Sequence, residues 1–160
     1  MDTFTLTQVP ITQTGMLIRR PIDEVFEAFV NPDITTQFWF TKGSGRLATG
    51  KQMQWEWEMY DISIPVTAIA IEPNARILIE WPGYGAPTNV EWTFEPLPDG
   101  TTFVRIKESG FVGTGDELVN QVTGSTQGFS LVLAGAKAFL EHNVKLNLVA
   151  DRFPKGVEQH

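Results

Sequence analysis

The chain has no cysteine in 160 residues. That excludes disulfides, thiolate metal sites and cysteine nucleophiles, and it suits a reducing compartment. Histidine is nearly missing too. Of the two, His160 is the last residue and His142 follows Glu141 on a helical stretch, so neither belongs to a Ser/His or metal-ligand spacing. Positive charge is scarce: 12 Lys and Arg stand against 19 Asp and Glu, for a net charge of -7. With no basic cluster to offset that balance, neither a phosphate-backbone partner nor an anionic membrane is expected. No apolar run approaches the ~20 residues of a membrane helix. The start, "MDTFTLTQVPITQTG", has neither a basic nor an apolar leader region. The glycine pairs "GSG" (43–45) and "GTG" (113–115) lack the context of a phosphate loop or dinucleotide fingerprint. These absences lead to the expectation of a cytoplasmic protein with no metal and no cofactor.

What remains is ordinary globular material, 42% hydrophobic and 19% charged, of a length that makes one domain the expectation over 1–160, with an N-terminal extension (1–12) and a C-terminal tail (148–160). "QTGMLIRR" (13–20) reads as a strand. In "PIDEVFEAFVNP" the period changes: Ile22, Val25, Phe26, Phe29 and Val30 recur at helical spacing, with Pro21 suited to the first helical position and Asn31-Pro32 to the stop. A second short helical piece leads to Phe38-Trp39-Phe40. From residue 51 the chain alternates. In "KQMQWEWEMY" the residues Met53, Trp55, Trp57 and Met59 share a face opposite Glu56 and Glu58. "SIPVTAIAIEP" (63–73) is a strand whose Pro65 demands an edge or an irregularity. "RILIEW", "TNVEWTFE" and "TTFVRIKES" continue the alternation. If Trp92 pairs with Ile106, Glu91 faces Lys107. A proline-free stretch, roughly 117–147, reads as a long helix with Val132, Leu133, Ala136, Phe139 and Leu140 on one stripe. Gly124, Gly128 and Gly135 weaken it by up to ~1 kcal/mol each but allow close packing. Strands in a run with helices at the ends indicate an α+β class, with helices on one face of an antiparallel sheet.

Three motifs carry a resemblance. "RPIDEVFEAFVNPDITTQFW" (20–39) is similar to the opening of START-related helix-grip proteins, the SRPBCC superfamily. "KESGF" (107–111) resembles the strand end before their last loop, and "GFSLVLAGAKAFLE" (128–141) resembles their C-terminal helix. The branch is that related to the activator of the heat-shock protein 90 ATPase, and the likeness spans about 13–145. Phe129 stands where the family usually has Trp, and Ala136 where it has Leu; both make room. The resemblance implies a curved antiparallel sheet of six or seven strands gripping the long C-terminal helix, two short helices after the first strand, and an apolar cavity between sheet and helix. The expected lining is Trp39, Trp55, Trp57, Trp81, Trp92, Phe94, Glu108, Phe111, Phe129 and Leu133.

Glu108 is the one weak catalytic candidate. By alternation it shares the inner face with Val104 and Ile106, where a carboxylate is costly to bury unless paired. It is either satisfied by a structural partner (a tyrosine, an arginine or a loop N–H) or it anchors a ligand; Tyr60 and Tyr84 are possible hydroxyl partners. The leading expectation is a binding module for a small apolar or aromatic molecule. The alternatives are a cyclase or aromatase-type enzyme using Glu108, and a protein-interaction module like the ATPase activator.

Overall fold

The computed structural model describes residues 5–158; His160 and the first four residues of the N-terminal extension lie outside them. Strand β1 (Thr12–Ile18) leads into two short helices, α1 (Ile22–Val30) and α2 (Pro32–Thr35). Pro21 sits one position earlier than its sequence signal suggests. It is the extended residue before α1, and its carbonyl accepts the amides of Glu24 and Val25. Asn31 closes α1 and opens α2 at once: its own amide bonds back to Glu27, while its side chain accepts the Asp33 amide. Pro32 is then free to start the second helix, since its missing N–H has no intrahelical partner to lose. The buried Thr35 hydroxyl donates to the carbonyl of Ala28 and holds the two helices together.

Six further strands complete one antiparallel sheet: β2 (Lys42–Gly43), β3 (Gln52–Trp57), β4 (Ile62–Glu72), β5 (Arg76–Pro82), β6 (Pro87–Pro96) and β7 (Thr102–Ser109). Their spatial order is β1-β7-β6-β5-β4-β3-β2. The expected register is present, with Trp92 opposite Ile106 and Glu91 opposite Lys107. Glu91 nevertheless takes its ion pair from the neighbouring strand, where Arg76 Nε lies 2.5 Å away. Alternation holds along β7: Thr102, Val104, Ile106 and Glu108 are all buried. Pro65 pairs with Gln54 of β3, while pairing of β4 with β5 begins only at Thr67. A proline is tolerated there because the strand has a single partner at that point.

One strand is shorter than its pattern. β3 ends at Trp57, and Glu58–Tyr60 form a 3-10 turn closed by Asp61 in the left-handed region (φ 54°). Met59 and Glu58 therefore leave the alternation, while Trp55 and Trp57 stay buried on the inner face.

The long helix α3 spans Gly115–His142 rather than 117–147. A capping box sets its start: the Thr114 side chain accepts the Glu117 amide, and the Glu117 carboxylate accepts the Thr114 amide. Asn143, at φ 54°, ends it. A separate five-residue helix, α4 (Leu148–Arg152), follows. α3 lies along β1, with Ser130 and Thr14 sharing a hydrogen bond and Lys137 Nζ donating to the Leu17 carbonyl at 2.8 Å. Gly135 allows α3 a close approach to the segment after α2, since a Cβ there would stand 3.3 Å from Phe38, tighter than ordinary contact.

Glu141 fastens the end of α3. It accepts from Lys137 Nζ at 2.6 Å and from the Arg19 amide at 2.8 Å. Burial acts against its charge, but the Lys137 and Arg19 hydrogen bonds outweigh it and hold the carboxyl below its ordinary value. A depressed native value contributes stability above the unfolded-state value, and that contribution is lost as pH falls through the native one. Glu141→Gln is expected to cost about 1–2 kcal/mol at neutral pH. Its melting curve should converge on wild type in acid; parallel curves at every pH would refute the linkage.

Candidate functional site

Between the sheet and α3 lies a cavity of about 550 Å³. Its sheet wall is Trp57 of β3, Ile62 and Ile64 of β4, and Trp81 of β5; Trp39 enters from the segment after α2. Antiparallel pairing places Trp57 opposite Ile62, so the two lie side by side. The helix wall is Gly124, Ser125, Gly128, Phe129 and Val132. The spacing of these positions, three and four apart, keeps them on one face. Trp81 and Phe129 stack across the gap with centroids 5.9 Å apart, and Trp39 meets both edge-on. Gly128 lines the cavity at its solvent-exposed side, and a Cβ on it would touch nothing within 4 Å, so this glycine serves no close approach.

Glu108 is the buried acid of this wall, 2% exposed. Thr88 lies diagonal to it on β6, because Val90 is its direct cross-strand partner. The Thr88 hydroxyl donates to Oε2 at 2.5 Å, the Trp81 indole N–H to the same oxygen at 3.0 Å, and the Ser125 hydroxyl to Oε1 at 2.6 Å. The indole N–H is shared with Thr88 Oγ1, also at 3.0 Å. Four elements (β5, β6, β7 and α3) are thereby tied to one carboxylate. Among the described residues no lysine, arginine or histidine pairs with it. Neither of the tyrosines named as possible partners donates to it. Tyr60 donates instead to the carbonyls of Val149 and Ala150. Tyr84 lies 59% exposed in the β5–β6 loop. Loss of hydration, then the Glu108 charge, pushes the Tyr84 hydroxyl above the ordinary phenol value.

Of the ten residues expected to line the cavity, Trp39, Trp57, Trp81, Glu108 and Phe129 face it. The other five are buried behind or beside it. Trp55 stacks on Phe40 at 4.4 Å. Trp92 and Phe94 pack against Phe29 under α1. Phe111 neighbours Tyr84 in the next loop. Leu133, like Ala136, is fully buried in the core. Sequence alternation finds the inner face but cannot tell which inner residues the short helices cover. Reading the sequence also missed Ile62 and Ile64, which the alternation of β4 could have supplied, and Val149, Arg152 and Phe153, for which it held no signal. These last three come from the tail, whose chain returns over the cavity.

Among the described residues no helix is long and apolar enough to cross a membrane, and no group of three or more His, Asp or Glu side chains could hold a metal ion. Residues 19–141 match the model of the family described as Activator of Hsp90 ATPase homolog 1-like protein. The crystal structure of protein SSP2350 from Staphylococcus saprophyticus is similar at 31% identity and a TM-score of 0.73, covering 86% of this chain and 96% of that one. The Aha1 dimer from Colwellia psychrerythraea shares the fold at 17% identity and a TM-score of 0.70, over 83% and 97% of the two chains. CalU16 from Micromonospora echinospora does so at 14% and 0.65, over 91% of each. No curated protein matches the sequence.

Proposed function

Because the chain belongs to the family of Activator of Hsp90 ATPase homolog 1-like proteins, whose helix-grip fold it shares, we propose that it binds a small, largely apolar or aromatic molecule between the sheet and α3. The observation that carries this reading is the cavity of about 550 Å³, walled by Trp39, Trp57, Trp81 and Phe129. Such a volume suits a drug-sized ligand, and a mostly apolar wall with few polar groups is the usual form of a small-molecule site. Both oxygens of Glu108 are already engaged by protein donors, which supports binding over acid–base chemistry. The cysteine-free composition supports a cytoplasmic setting.

Two measurements test the proposal. A native mass spectrum of freshly purified protein should show a retained small molecule. Gly128→Leu should then abolish or sharply reduce that adduct, because Gly128 lines the exposed side of the cavity and a leucine there would stand in its opening. Replacing a helical glycine should also raise stability, by up to about 1 kcal/mol. A Gly128→Leu protein that is stable and still carries the adduct undiminished would refute the site.

A further inference from the structure

We infer that the segment Leu148–Phe153, which lies beyond the family-matching region ending at residue 141, sets the size of molecule the cavity accepts. Val149 and Phe153 are the limiting side chains, and Tyr60 positions them. This rests on reading the cavity as a binding site.

The path of the chain is the first ground. After α3 the backbone takes two left-handed residues, Asn143 (φ 54°) and Asn147 (φ 58°). At the first, the Asn143 amide bonds back to Ala138 and Phe139 and the Val144 amide to Ala138, which ends the helix and reverses the chain. The second re-aims it into α4, and Val149, Arg152 and Phe153 become part of the cavity wall. Phe153 is 49% exposed while it faces the cavity, so it stands at the boundary with solvent.

The manner of attachment is the second ground. No residue of α4 is fully buried, and of its side chains Val149 packs half-buried against the core. The rest of the attachment comes from side chains that reach across to it. A helix this short leaves its carbonyls without intrahelical partners, and the Tyr60 hydroxyl donates to two of them, Val149 and Ala150. The Tyr60 ring meets Phe153 edge-on at 6.2 Å. Arg152 Nε donates to Gln127 of α3 at 2.8 Å, and its guanidinium lies 4.4 Å over the Phe153 ring. The wall is therefore defined in position, with Val149 on the core side and Phe153 on the solvent side. An apolar wall discriminates by steric fit, where one methylene is worth about tenfold or more. Val149 and Phe153 supply that limit at the open end.

The test uses two neutral fluorophores that differ only in chain length, 6-propionyl-2-(dimethylamino)naphthalene and its lauroyl homologue, whose emission shifts on leaving water. The quantity read is the ratio of their dissociation constants. Val149→Ala and Phe153→Ala should move that ratio about tenfold toward the longer probe. Tyr60→Phe should move it the same way with the melting temperature nearly unchanged, a shift that a merely structural role would not produce. Val119→Ala, on an exposed part of α3 outside the cavity, should leave it alone. If the short probe binds every variant and the ratio stays within about twofold of wild type, the inference is wrong and the binding reading survives. If the wild-type protein binds neither probe, the binding reading falls and takes the inference with it. Should Tyr60→Phe fail to fold, the two alanine variants decide the matter, Phe153→Ala above all because that side chain is half-exposed.

Discussion

Trp55→Ala should remove about 3–5 kcal/mol of folding stability, the loss expected for a fully buried tryptophan. The indole is 1% exposed, stacked on Phe40 at 4.4 Å and set edge-on to Trp39 at 5.0 Å. It contributes nothing to the cavity wall. Truncation therefore opens a hole inside the core and does not enlarge the site. A typical domain has only about 5–15 kcal/mol of stability to lose, so urea unfolding should show a clear drop in midpoint. Trp57, two residues along, is a wall residue at 9% exposure. Its truncation merges the new space with a cavity already open, so the stability loss should be the smaller of the two. Equal losses would mean that Trp55 and Trp57 have been assigned the wrong neighbours.

The second large effect is expected at Glu108, and two substitutions separate charge from hydrogen bonding. Leucine has no acceptor for Thr88 and Ser125, both at or below 5% exposure, and it leaves the Trp81 indole with Thr88 alone. Stranded buried donors are penalised individually, so Glu108→Leu should cost about 2–4 kcal/mol. Glutamine keeps an oxygen for Trp81 and Thr88, and its amide can donate to Ser125 if that hydroxyl turns round. Glu108→Gln should therefore cost about 1 kcal/mol or less, because removal of a buried charge offsets the weaker bonds. Near-UV circular dichroism adds a second readout, since Glu108 and Thr88 orient the Trp81 ring that stacks on Phe129. If leucine is tolerated as well as glutamine, the carboxylate is not the knot that ties sheet to helix.

The sequence determined the order of the main elements and the inner face of most strands, because these follow from local periodicity; the family was legible from three motifs at 20–39, 107–111 and 128–141. A strand alternates at every second residue and a helix returns every three to four, whatever lies opposite. Hence the burial of Glu108, Trp55 and Trp57 was legible, as was the pairing of Trp92 with Ile106. Only the tertiary structure decided which inner residues meet space and which meet other side chains. Trp57 and Trp55 share a face, yet only one reaches the cavity, because Phe40, from the segment after α2, stacks flat on Trp55 and meets Trp57 only edge-on. The partners of Glu108 were illegible for the same reason. Trp81, Thr88 and Ser125 lie 27, 20 and 17 residues away, and none has a local pattern that marks it as a donor to that carboxylate. The tail was hardest to read. Val149 and Phe153 reach the cavity only through two left-handed asparagines and a tyrosine some 90 residues earlier in the chain, and contacts at that separation leave no period to be read.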